Sequence, residues 1–575
     1  MKNKELAKIF YEIANYLEMD QVDFKPYAYQ KAADALAGLE RDVQDVYRQG
    51  GLKELEKIPG VGKSIAEKIE EYLKTGKIQY YEQFKKRLPL DLEGMTAIEG
   101  MGPKRAKLLY QKLGIRNVKD LEKAAKSHKI ASLEGFGEKT EKNILEGIAF
   151  LKRSKGRFLL GEILPKVKDI LEKLKSLKEV EQISEAGSVR RKKETIGDVD
   201  ILITAKNPKK VMDFFVKLPG ITKVWGKGAT KSSIKLEEGL DVDLRVVGKK
   251  SFGSALQYFT GSKEHNIVLR RIAIEKGMKL NEYGLYKGKK MIAGWYENGI
   301  YKALGLAWIE PELRENQGEI EAAGKNNLPK IISQKDIKGD LHCHSIWSGG
   351  ANTVESMART AQELGYDYVG IADHTKFLRI EHGLNEKQLF SQRKEIDRLN
   401  LKFKNSKFRI LQGCEANILS DGSIDIKDEA LKKLDFVIAG IHSAFKMERS
   451  QMTERIIRAM ENPNVDIISH PTGRILKKRD EYLIDFDRIL KIAKETKTVL
   501  EINAWPERLD LNDKNIKKAK EAGVKMIINT DSHDKDHMQF MEFGVFQARR
   551  GWAEKSDIIN SQPLIKLLSH FKDGN

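Results

Sequence analysis

Residues 336–575 repeat one unit, an apolar segment that ends in a polar residue able to bind a metal. Stretches such as ESMARTAQELG and NIKKAKEAG lie between these segments and are typical of helices. Buried parallel strands that alternate with helices predict a barrel, and polar residues at the carboxyl ends of its strands mark where such barrels carry out chemistry. We therefore predict a (β/α)7 barrel. Its strand segments are IKGDLHCH, YVGIADH, FRILQGCE, FVIAGIH, VDIISH, VLEIN and MIINTDSH.

Histidine is concentrated in the same region, because nine of the eleven histidines lie beyond residue 340. His342 and His344 share one face of their predicted strand. Nitrogen and carboxylate ligands of this mixture suit Zn²⁺, Mn²⁺ or Fe²⁺, and one carboxylate can bridge two ions. Any one of these histidines could be an ordinary buried core residue, but the whole set predicts a metal centre. The other members, at the ends of later strands, are Glu415, His442, His470, Asp531 and His533.

A second acidic site is predicted in AGSVRRKKETIGDVDILI, residues 186–203. In a strand, Asp198 and Asp200 project to one side while Val199 and Ile201 project to the other. Two like charges this close repel, and a divalent cation between them is the simplest way to hold them together. The apolar alternate positions predict that the opposite face of this strand is buried.

A third acid for this site lies in GLDVDLRVV, residues 239–247, where Asp241, Asp243 and Arg245 share one face of a strand. Three carboxylates from two adjacent strands can hold two Mg²⁺ ions, as two-metal phosphoryl transfer requires. Twin aspartates alone are weak support, because exposed edge strands often carry them. The neighbouring basic loop strengthens the prediction, and its candidate phosphate-binding residues are Gly187, Ser188 and Arg191.

Three short segments near the N-terminus repeat an apolar residue, a spacer, Gly-x-Gly and a lysine-rich helix. They look like the helix-hairpin-helix motif, in which backbone N–H groups at a helix start face a DNA phosphate without reading sequence. The alternative is that the glycines only allow tight turns between packed helices. The segments are IPGVGKSIAEKI (58–69), IEGMGPKRAKLL (98–109) and LEGFGEKTEKNI (133–144), and the candidate DNA-binding residues are Gly60, Gly62, Lys63, Gly100, Gly102, Gly135 and Gly137.

The formal net charge of +19 is concentrated in one block of the chain. Residues 101–300 contain 43 Lys and Arg against 24 Asp and Glu, whereas residues 1–100 sum to −2 and residues 301–575 to +2. A local positive field of this size is typical of a protein with a polyanionic partner, and nucleic acid is the leading candidate.

The sequence contains no apolar run near 18 residues and begins with the charged segment MKNKELAKIF. We therefore predict a cytoplasmic protein with no membrane contact, and we expect a monomer. Cys343 and Cys414 could form at most one disulfide, but both lie beside predicted metal ligands, which favours buried free thiols in a reducing compartment.

The order GSVRR, GDVD, DVDLR and YFTGS resembles the family X DNA polymerases, the relatives of polymerase beta, over about residues 1–315. The resemblance implies that Asp198, Asp200 and Asp243 are the catalytic metal ligands and that Asp241 is only a neighbour. It also implies deoxynucleoside triphosphate substrates. The implied nucleotide-binding residues are Gly187, Ser188, Arg191, Tyr258, Phe259, Gly261 and Asn266.

The same resemblance assigns two roles to Lys68 that the sequence leaves open. Lys68 matches the Schiff-base lysine with which polymerase beta removes a 5′-deoxyribose phosphate, and Tyr29 fits the same domain. Such a lysine needs a pKa low enough to supply free amine. The alternative is that Lys68 only contacts a DNA phosphate.

Residues 336–570 resemble the PHP family, the polymerase and histidinol phosphatase domain, through DLHCHS, IADHT, GCEANI, IHS, SHP and TDSH. The resemblance implies a phosphoesterase whose ions are Mn²⁺ or Zn²⁺. One ion would be bound by His342, His344, Glu415 and Asp531, the second by Glu415, His442 and His470, and the third by His374 and His533. The family pattern usually reads SDG where this chain has Ser348, Gly349 and Gly350, so the third ion lacks a carboxylate there.

Together these features predict a gap-filling repair polymerase with an attached nuclease. It would act on gapped or nicked DNA, and the PHP region would serve as a 3′-5′ exonuclease, 3′-phosphatase or AP endonuclease. Three alternatives remain: a polymerase with a vestigial, structural barrel that only binds DNA or metal, a small-molecule phosphatase, and a nucleotidyltransferase acting on RNA or small molecules.

We expect six regions along the chain. An all-α helix-hairpin-helix part is followed by an α+β nucleotidyltransferase palm with a nucleotide-binding subdomain, a linker and the barrel. The expected boundaries are 1–90 and 91–155 for the two helical DNA-binding domains, 156–250 for the palm, 251–315 for the nucleotide-binding subdomain, 316–335 for the linker and 336–575 for the PHP barrel.

Overall fold

The computed structural model describes residues 2–20, 22–37, 39, 42–58, 60–96, 98, 101–154, 156–403 and 407–571. The chain divides into two compact units. The first consists of Met1–Lys155 and Lys477–Arg479, and the second of Gly156–Leu476 and Asp480–Asn575.

The N-terminal part of the first unit is built from helices around one apolar core. In the first helix, Leu6, Phe10, Ile13 and Leu17 recur every three or four residues and are all buried, because this spacing places them on one face. The helices are Lys2–Met19, Lys25–Ala37, Val43–Gly50, Leu52–Leu55, Lys63–Thr75, Gln79–Arg87, Leu92–Thr96, Pro103–Leu113, Val118–Lys126 and Glu138–Ser154.

The second unit begins with a mixed sheet flanked by helices. Strand Asp198–Ala205 pairs in parallel with Asp241–Val246, while its other neighbour, Val180–Glu185, is antiparallel. The sheet order is Val180–Glu185, Asp198–Ala205, Asp241–Val246, Lys231–Leu236 and Ile221–Lys227. Its helices are Leu160–Lys175, Gly187–Arg190 and Pro208–Phe215, and a separate two-stranded ribbon joins Phe158–Leu159 to Thr195–Ile196.

A small helical and antiparallel region follows the sheet. Its helices are Phe252–Thr260, Lys263–Glu275, Glu297–Ala303 and Glu319–Gly324, and its strands are Lys279–Asn281, Gly284–Lys287 and Lys290–Ala293.

Part of the predicted linker, residues 316–335, is packed rather than extended. Ile320 and Ala323 are buried in one core with Leu269 and Tyr301. Glu319 is fully buried, and one of its carboxylate oxygens lies 2.7 Å from Nδ1 of His265. The sequence did not reveal that this polar segment is structured. The reason is that His265, which contacts the buried carboxylate of Glu319, lies 54 residues earlier in the chain.

The C-terminal region consists of parallel strands alternating with helices. The strands form two sheets, Gly339–Cys343, Tyr368–Ile371 and Arg409–Gln412 in one, and Glu415–Asn417, Ile438–Gly440, Ile467–Ile468, Val499–Asn503 and Met526–Asn529 in the other. Isolated parallel bridges join Cys343 to Ser532 and His374 to Glu415, so the two sheets are connected at two places. His374 follows the central strand of the three-stranded sheet, Tyr368–Ile371. The helices are Val354–Glu363, Glu386–Lys402, Asp428–Leu431, Arg449–Glu461, Phe486–Thr496, Asp513–Ala522, Met541–Arg550 and Leu564–Leu568.

The mixed sheet and the C-terminal region share a core within the second unit. Leu509 and Phe543 are buried in the same apolar cluster as Leu160 and Ile163 of the sheet's first helix. Glu194 adds polar contacts, because its carboxylate accepts hydrogen bonds from Arg474 and Gln547, both at 3.0 Å.

Cys343 and Cys414 are buried free thiols, as the sequence predicts. Among the described residues, no helix combines the length and the apolar character needed to cross a bilayer.

Candidate metal centres and DNA-binding surface

The palm acids lie on two paired strands in matching register. Asp198 is opposite Asp241 and Asp200 is opposite Asp243 in the parallel ladder. Val199 and Val242 between them are fully buried on the other face. The alternation in the sequence thus gives three candidate ligands, Asp198, Asp200 and Asp243, on one side of the sheet.

Two cations lie beside one of these acids. Nζ of Lys231, on the neighbouring antiparallel strand, is 2.7 Å from Oδ2 of Asp243. The guanidinium of Arg245 lies 3.6 Å from the same oxygen and stacks over the ring of Phe259. Asp243 is therefore compensated by protein cations as well as being available to a metal.

Asp241 faces a different set of partners. Nε1 of Trp225 donates a 2.8 Å hydrogen bond to Oδ1 of Asp241, and Nζ of Lys235 lies 3.2 Å from the same oxygen. These contacts fit the prediction that Asp241 is a neighbour of the metal ligands and not one of them.

Asp200 is electrostatically coupled to the other palm acids. Burial raises its pKa to about 6, with a further contribution from the charge of Asp198, while Arg245 opposes the shift. A pKa shift of this origin requires the carboxylates to lie near one another. Such a group gains from a divalent cation, because the cation would replace repulsion by attraction.

The basic loop places its two arginines in different contacts. Arg190 forms a two-point pair with the buried carboxylate of Glu297, at 2.7 and 2.8 Å. Burial favours the protonated acid, but Arg314 and Arg190 outweigh it and hold the pKa of Glu297 at about 2. Nε of Arg191 donates to Glu315 at 3.0 Å, and its guanidinium also donates to the carbonyl of Thr260.

Gly187 and Ser188 begin the short helix Gly187–Arg190 directly beside the acids. Gly187 has a φ of +60°, and a Cβ atom there would lie 3.1 Å from Oδ2 of Asp200. Glycine is therefore favoured twice, by its left-handed backbone and by the close approach of the acid.

The YFTGS segment lies across from this loop. The rings of Tyr258 and Phe259 are 5.2 Å apart, edge to face. Gly261 has a φ of +72°, and a Cβ atom there would lie 3.1 Å from a guanidinium nitrogen of Arg191. Asn266 bridges the helices, since its amide donates to the carbonyl of Tyr258 at 2.7 Å and accepts from Gln257 at 2.6 Å.

The C-terminal histidines converge on Glu415. Five of them have a ring nitrogen within 4 Å of its carboxylate oxygens, and Glu415 is itself almost fully buried. The distances are 3.4 Å to His342, 3.8 Å to His344, 2.8 Å to His374, 3.3 Å to His442 and 3.0 Å to His470. Asp531 lies 3.2 Å from Nε2 of His344 and 3.6 Å from Nε2 of His342.

Several of these ligand atoms make no well-oriented hydrogen bond in the described part of the chain, although two of them, Nδ1 of His374 and Oε2 of Glu415, lie 2.8 Å apart. They are Nε2 of His342, both ring nitrogens of His344, Nδ1 of His374, Oε2 of Glu415 and Nδ1 of His470. Buried polar atoms without such bonds are costly, and a metal ion satisfies them. The donor set therefore fits divalent transition metals.

Three groups of candidate ligands bring their atoms within 4.8 Å of one another. They are His342, His344 and Glu415, then His374, Glu415 and His442, and finally His344, His374 and His533. The grouping differs in detail from the sequence expectation, because His374 also approaches the second group and His344 also approaches the third. His470 and Asp531, which were predicted to bind the second and first ions, lie close to the cluster but outside these groups. Within the described residues, the three palm aspartates do not form such a group.

Neighbouring charges tune this cluster in opposite directions. Burial raises the pKa of Glu415, but His442, His342 and His374 outweigh it and hold that pKa well below its usual range. Burial lowers the pKa of His344 well below its usual range, assisted by His533 and His374. Glu415 and His344 are thus held in the forms that bind metals, ionised carboxylate and neutral imidazole. Burial lowers the pKa of His342, but Glu501 and Glu415 outweigh it and hold that pKa well above its usual range, so a metal would have to displace its proton.

Two residues that sequence reasoning missed orient the histidines. Oε1 of Glu501 lies 2.7 Å from Nδ1 of His342, and its other oxygen accepts from the backbone N–H of His470 at 2.8 Å. Oδ1 of Asn417 lies 2.8 Å from Nδ1 of His442. An acceptor at Nδ1 fixes the proton there and leaves Nε2 for a metal. The only sequence signal was their position in the strand segments VLEIN and GCEAN.

The glycines of the hairpin motifs take two positions. Gly60 and Gly135 have φ values of +79° and +82°, which favour glycine. Gly62 and Gly102 are the N-caps of the helices Lys63–Thr75 and Pro103–Leu113, and the carbonyl of Gly137 accepts the first bonds of Glu138–Ser154. The space in which a Cβ of Gly62, Gly102 or Gly137 would lie is open. Lys63 is exposed, and Gly100 lies outside the described residues.

Lys68 lies on the helix of the first hairpin and is half-buried. Its Nζ donates to Oγ of Ser64 at 3.1 Å and lies 5.2 Å from the ring centre of Tyr80, which stacks on Tyr29. Burial lowers its pKa from the ordinary value. The direction favours the Schiff-base role, because a phosphate contact uses the protonated amine.

Five segments match known domain families. Residues 1–78 match a helix-hairpin-helix domain, 92–149 a SAM-like helix-hairpin-helix tandem, 162–274 the DNA polymerase beta palm, 255–315 the DNA polymerase beta thumb and 340–504 the PHP domain. Together they define a polymerase beta-like nucleotidyltransferase joined to a PHP domain.

Similarity over the full chain narrows this class. The chain is 37% identical over 569 residues to the DNA polymerase/3′-5′ exonuclease PolX of Bacillus subtilis (strain 168), covering 98% of each protein. The chain therefore belongs to the PolX family of family X DNA polymerases. It is also 34% identical to probable phosphatases of Thermoanaerobacter sp. (strain X514) and Clostridium acetobutylicum, over 34% of this chain and 78% of each of those proteins.

Proposed function

We propose that the chain is a DNA-directed DNA polymerase that fills short gaps during DNA repair. The observation that carries the proposal is the register of Asp198 and Asp200 against Asp241 and Asp243 beside the GSVRR loop. The full-length similarity to a DNA polymerase/3′-5′ exonuclease supports the same reading.

In this proposal Asp198, Asp200 and Asp243 hold Mg²⁺, because carboxylate oxygens are the ligands that this ion prefers. Bound there, Mg²⁺ would supply charge stabilisation for the transferred phosphoryl group. The 3′ hydroxyl of the primer attacks the α-phosphate of a deoxynucleoside triphosphate, the new phosphodiester forms, and pyrophosphate leaves.

The chain's own residues would then bind and orient the nucleotide. Gly187, Ser188 and Arg191 are proposed to bind its phosphates, and Arg191 would exchange Glu315 for them. Tyr258, Phe259 and Gly261 are proposed to contact its sugar and base. Asn266 would hold Tyr258 in place through the hydrogen bond to its backbone carbonyl.

The C-terminal region is proposed to be the 3′-5′ exonuclease, with 3′-phosphatase or AP endonuclease activity. Its eight strands correspond to the seven predicted segments, because Arg409–Gln412 and the start of Glu415–Asn417 both lie in FRILQGCE. The two bridges between its sheets support a closed (β/α)7 barrel with the ligands at its carboxyl ends. Mn²⁺ or Zn²⁺ would be held by His342, His344, His374, Glu415, His442, His470, Asp531 and His533, and would activate water for phosphoester hydrolysis. The dense set of ligand atoms without well-oriented hydrogen bonds favours this over a vestigial barrel.

DNA is proposed to bind along the first unit through its hairpins. The open space beside Gly62, Gly102 and Gly137 would let a phosphate approach the helix starts. We assign Lys63 to a phosphate contact and keep Lys68 as a candidate lyase residue. The expected boundaries at residues 90, 155, 250, 315 and 335, a monomeric state, and a preference for gapped or nicked DNA are part of the same proposal.

One assay tests both activities. The purified protein is given a gapped duplex with a 3′-phosphate on the primer, in Mg²⁺ or Mn²⁺, as wild type, Asp243→Ala and His342→Ala. Wild type should unblock and then extend the primer. Asp243→Ala should unblock without extending, and His342→Ala should extend only a primer supplied with a free 3′ hydroxyl.

The alternatives give different patterns. A nucleotidyltransferase acting on RNA or small molecules predicts no template-dependent extension of the gapped duplex. A vestigial C-terminal region predicts that wild type extends a free primer but never removes the phosphate. A small-molecule phosphatase predicts hydrolysis of histidinol phosphate and no salt-sensitive DNA binding. Equal loss of both activities in both variants would contradict two separate sites.

A further inference from the structure

A glutamate from a neighbouring turn lies beside Gly349, the position at which the third metal group lacks an acid, although its carboxylate is outside the group of ligand atoms within 4.8 Å of one another. Gly349 has a φ of +74°, and a Cβ atom at this position would lie 2.8 Å from Oε2 of Glu381. The same point lies 3.5 Å from Cδ2 of His533. The carboxylate of Glu381 and the imidazole of His533 therefore flank the space that a side chain at residue 349 would enter.

The turn that carries Glu381 is fixed at both of its sides. It is the short 3-10 helix Arg379–Glu381, which follows His374 along the chain. Oγ of Ser348 donates to the backbone carbonyl of Glu381 at 2.9 Å. The backbone N–H of Leu384 donates to the carbonyl of His374 at 2.8 Å, so the segment between these two residues forms a closed loop.

The nitrogen ligands beside this carboxylate are already assembled. Ligand atoms of His344, His374 and His533 lie within 4.8 Å of one another. His344 is fully buried, and neither ring nitrogen makes a well-oriented hydrogen bond among the described residues, although Nε2 lies 3.2 Å from Oδ1 of Asp531. Three imidazoles and one carboxylate make a donor set that suits a divalent transition metal.

We propose that Glu381 supplies the carboxylate that residue 349 does not, and that it completes a site for a divalent transition metal with His344, His374 and His533. The chain thus keeps a third ion by taking its acid from the turn after His374. This inference rests on the proposed metal-dependent function of the C-terminal region. It concerns metal binding, which can be measured separately from hydrolysis.

The test measures how many Mn²⁺ ions bind per chain. The metal-free full-length protein is titrated with Mn²⁺, and binding is measured by calorimetry and checked by elemental analysis. Glu381→Gln should lose one equivalent per chain, or bind it at least 10- to 100-fold more weakly. The matched control is Glu363→Gln, an exposed glutamate at the end of helix Val354–Glu363, which should match wild type. Palm ions contribute equally to all variants.

A carboxylate exchange makes the test specific. The double variant Gly349→Asp with Glu381→Ala moves the acid to residue 349, where aspartate tolerates a left-handed backbone and the side chain of Glu381 no longer obstructs it. It should regain the equivalent that Glu381→Ala loses. Equal unfolding midpoints of all variants in EDTA would verify that each folds.

The outcomes separate this proposal from the proposed function. Retention of every Mn²⁺ equivalent by Glu381→Gln, or failure of the double variant to regain one, overturns the role of Glu381. If wild type binds the ion through Glu381 but never shortens or dephosphorylates a 3′ end, the metal site stands and the proposed exonuclease fails.

Discussion

The palm acids and the C-terminal cluster surround their carboxylates with different groups. Asp243 is paired with Lys231 at 2.7 Å, whereas Glu415 is surrounded by five imidazoles. Lysine stays protonated at neutral pH and cannot bind a metal, but a neutral imidazole can. The C-terminal cluster is therefore a preassembled set of ligands, while Asp243 of the palm already contacts two cations of the protein, Lys231 and Arg245.

The difference follows from what each site has to do. A polymerase binds and releases a metal-nucleotide complex in each cycle, and an acid already compensated by lysine costs little to leave without metal. A hydrolytic centre that keeps its ions can rely on them for local stability. The comparison makes three predictions, described below from the largest effect to the smallest.

The strongest test contrasts two aspartates of the palm. Asp200→Asn should slow nucleotide addition about 10³-fold or more, because a metal ligand supplies several kcal/mol of charge stabilisation in phosphoryl transfer. Asp241→Asn is the matched control, since Asp241 is bound by Trp225 and Lys235. It should remain within about threefold of wild type, because a surface pair contributes at most about 1 kcal/mol. Single-turnover extension of a gapped duplex measures both.

Asp200→Asn should leave the unfolding midpoint unchanged or raise it, because burial and the charge of Asp198 already disfavour the ionised acid. Removal of 3′ nucleotides should also be unaffected. A variant that loses both activities, or an Asp241→Asn variant as slow as Asp200→Asn, would show that the two palm acids do not differ in role.

This contrast also shows which parts of the sites the sequence could predict. The alternation in GDVDILI and DVDLRVV placed Asp198, Asp200 and Asp243 on one face because strand periodicity is a local property. Their exact partners were not predictable, since Lys231 reaches Asp243 through the register of an antiparallel strand. The pairing of Arg191 with Glu315, 124 residues later, depends likewise on tertiary structure.

The C-terminal region divides in the same manner. Residues at the ends of apolar strands could be selected as ligands, because parallel strands present their carboxyl ends to one side. Glu381 could not be selected as a ligand from the sequence, because it lies in a turn, and the hydrophobic periodicity of strands and helices does not predict the path of a turn. Glu501 lies inside a strand, and its carboxylate contacts Nδ1 of His342. This role was not predictable, because the sequence VLEIN does not show which face of the strand points toward the histidines.

Removal of metal should affect the two regions unequally. An ion held at 100-fold above its Kd contributes about 2.7 kcal/mol to the stability of the site that binds it. In Mn²⁺, amide exchange in strand Val499–Asn503 should slow by about 100-fold relative to EDTA, whereas strand Asp241–Val246 should change little. Exchange followed by mass spectrometry resolves the two strands within one sample, so each serves as the control for the other.

Equal changes in both strands would contradict the comparison. They would show that the shared core containing Leu509 and Phe543 makes the second unit open as one cooperative body. No change in either strand would show that the C-terminal ligands do not hold their ions tightly. His342→Ala should abolish the response of Val499–Asn503 to Mn²⁺ if the response comes from the cluster.

The smallest effect is a difference in pH dependence. The pKa of Asp200 is raised to about 6 by burial and by Asp198, so its protonated form predominates at pH 5 and its metal-binding form at pH 7. Nucleotide addition at limiting Mg²⁺ should therefore fall about tenfold between pH 7 and pH 5. Higher Mg²⁺ should move this limb to lower pH, because a nearby cation favours the ionised carboxylate.

The fall in rate should not reflect unfolding caused by this group. A carboxyl whose pKa is raised in the folded state binds its proton more tightly there than in the unfolded chain, so its contribution favours folding as the pH falls through 6. The acids of the C-terminal cluster behave oppositely. Burial raises the pKa values of Glu415 and Asp531, but neighbouring histidines, His442 and His342 foremost, outweigh it and hold both well below their usual range. The pH profile of 3′-end trimming should therefore show no fall in rate near pH 6 caused by a carboxylate. A fall near pH 6 that shifts with Mg²⁺ in trimming but is missing from nucleotide addition would contradict the proposed difference between the two sites.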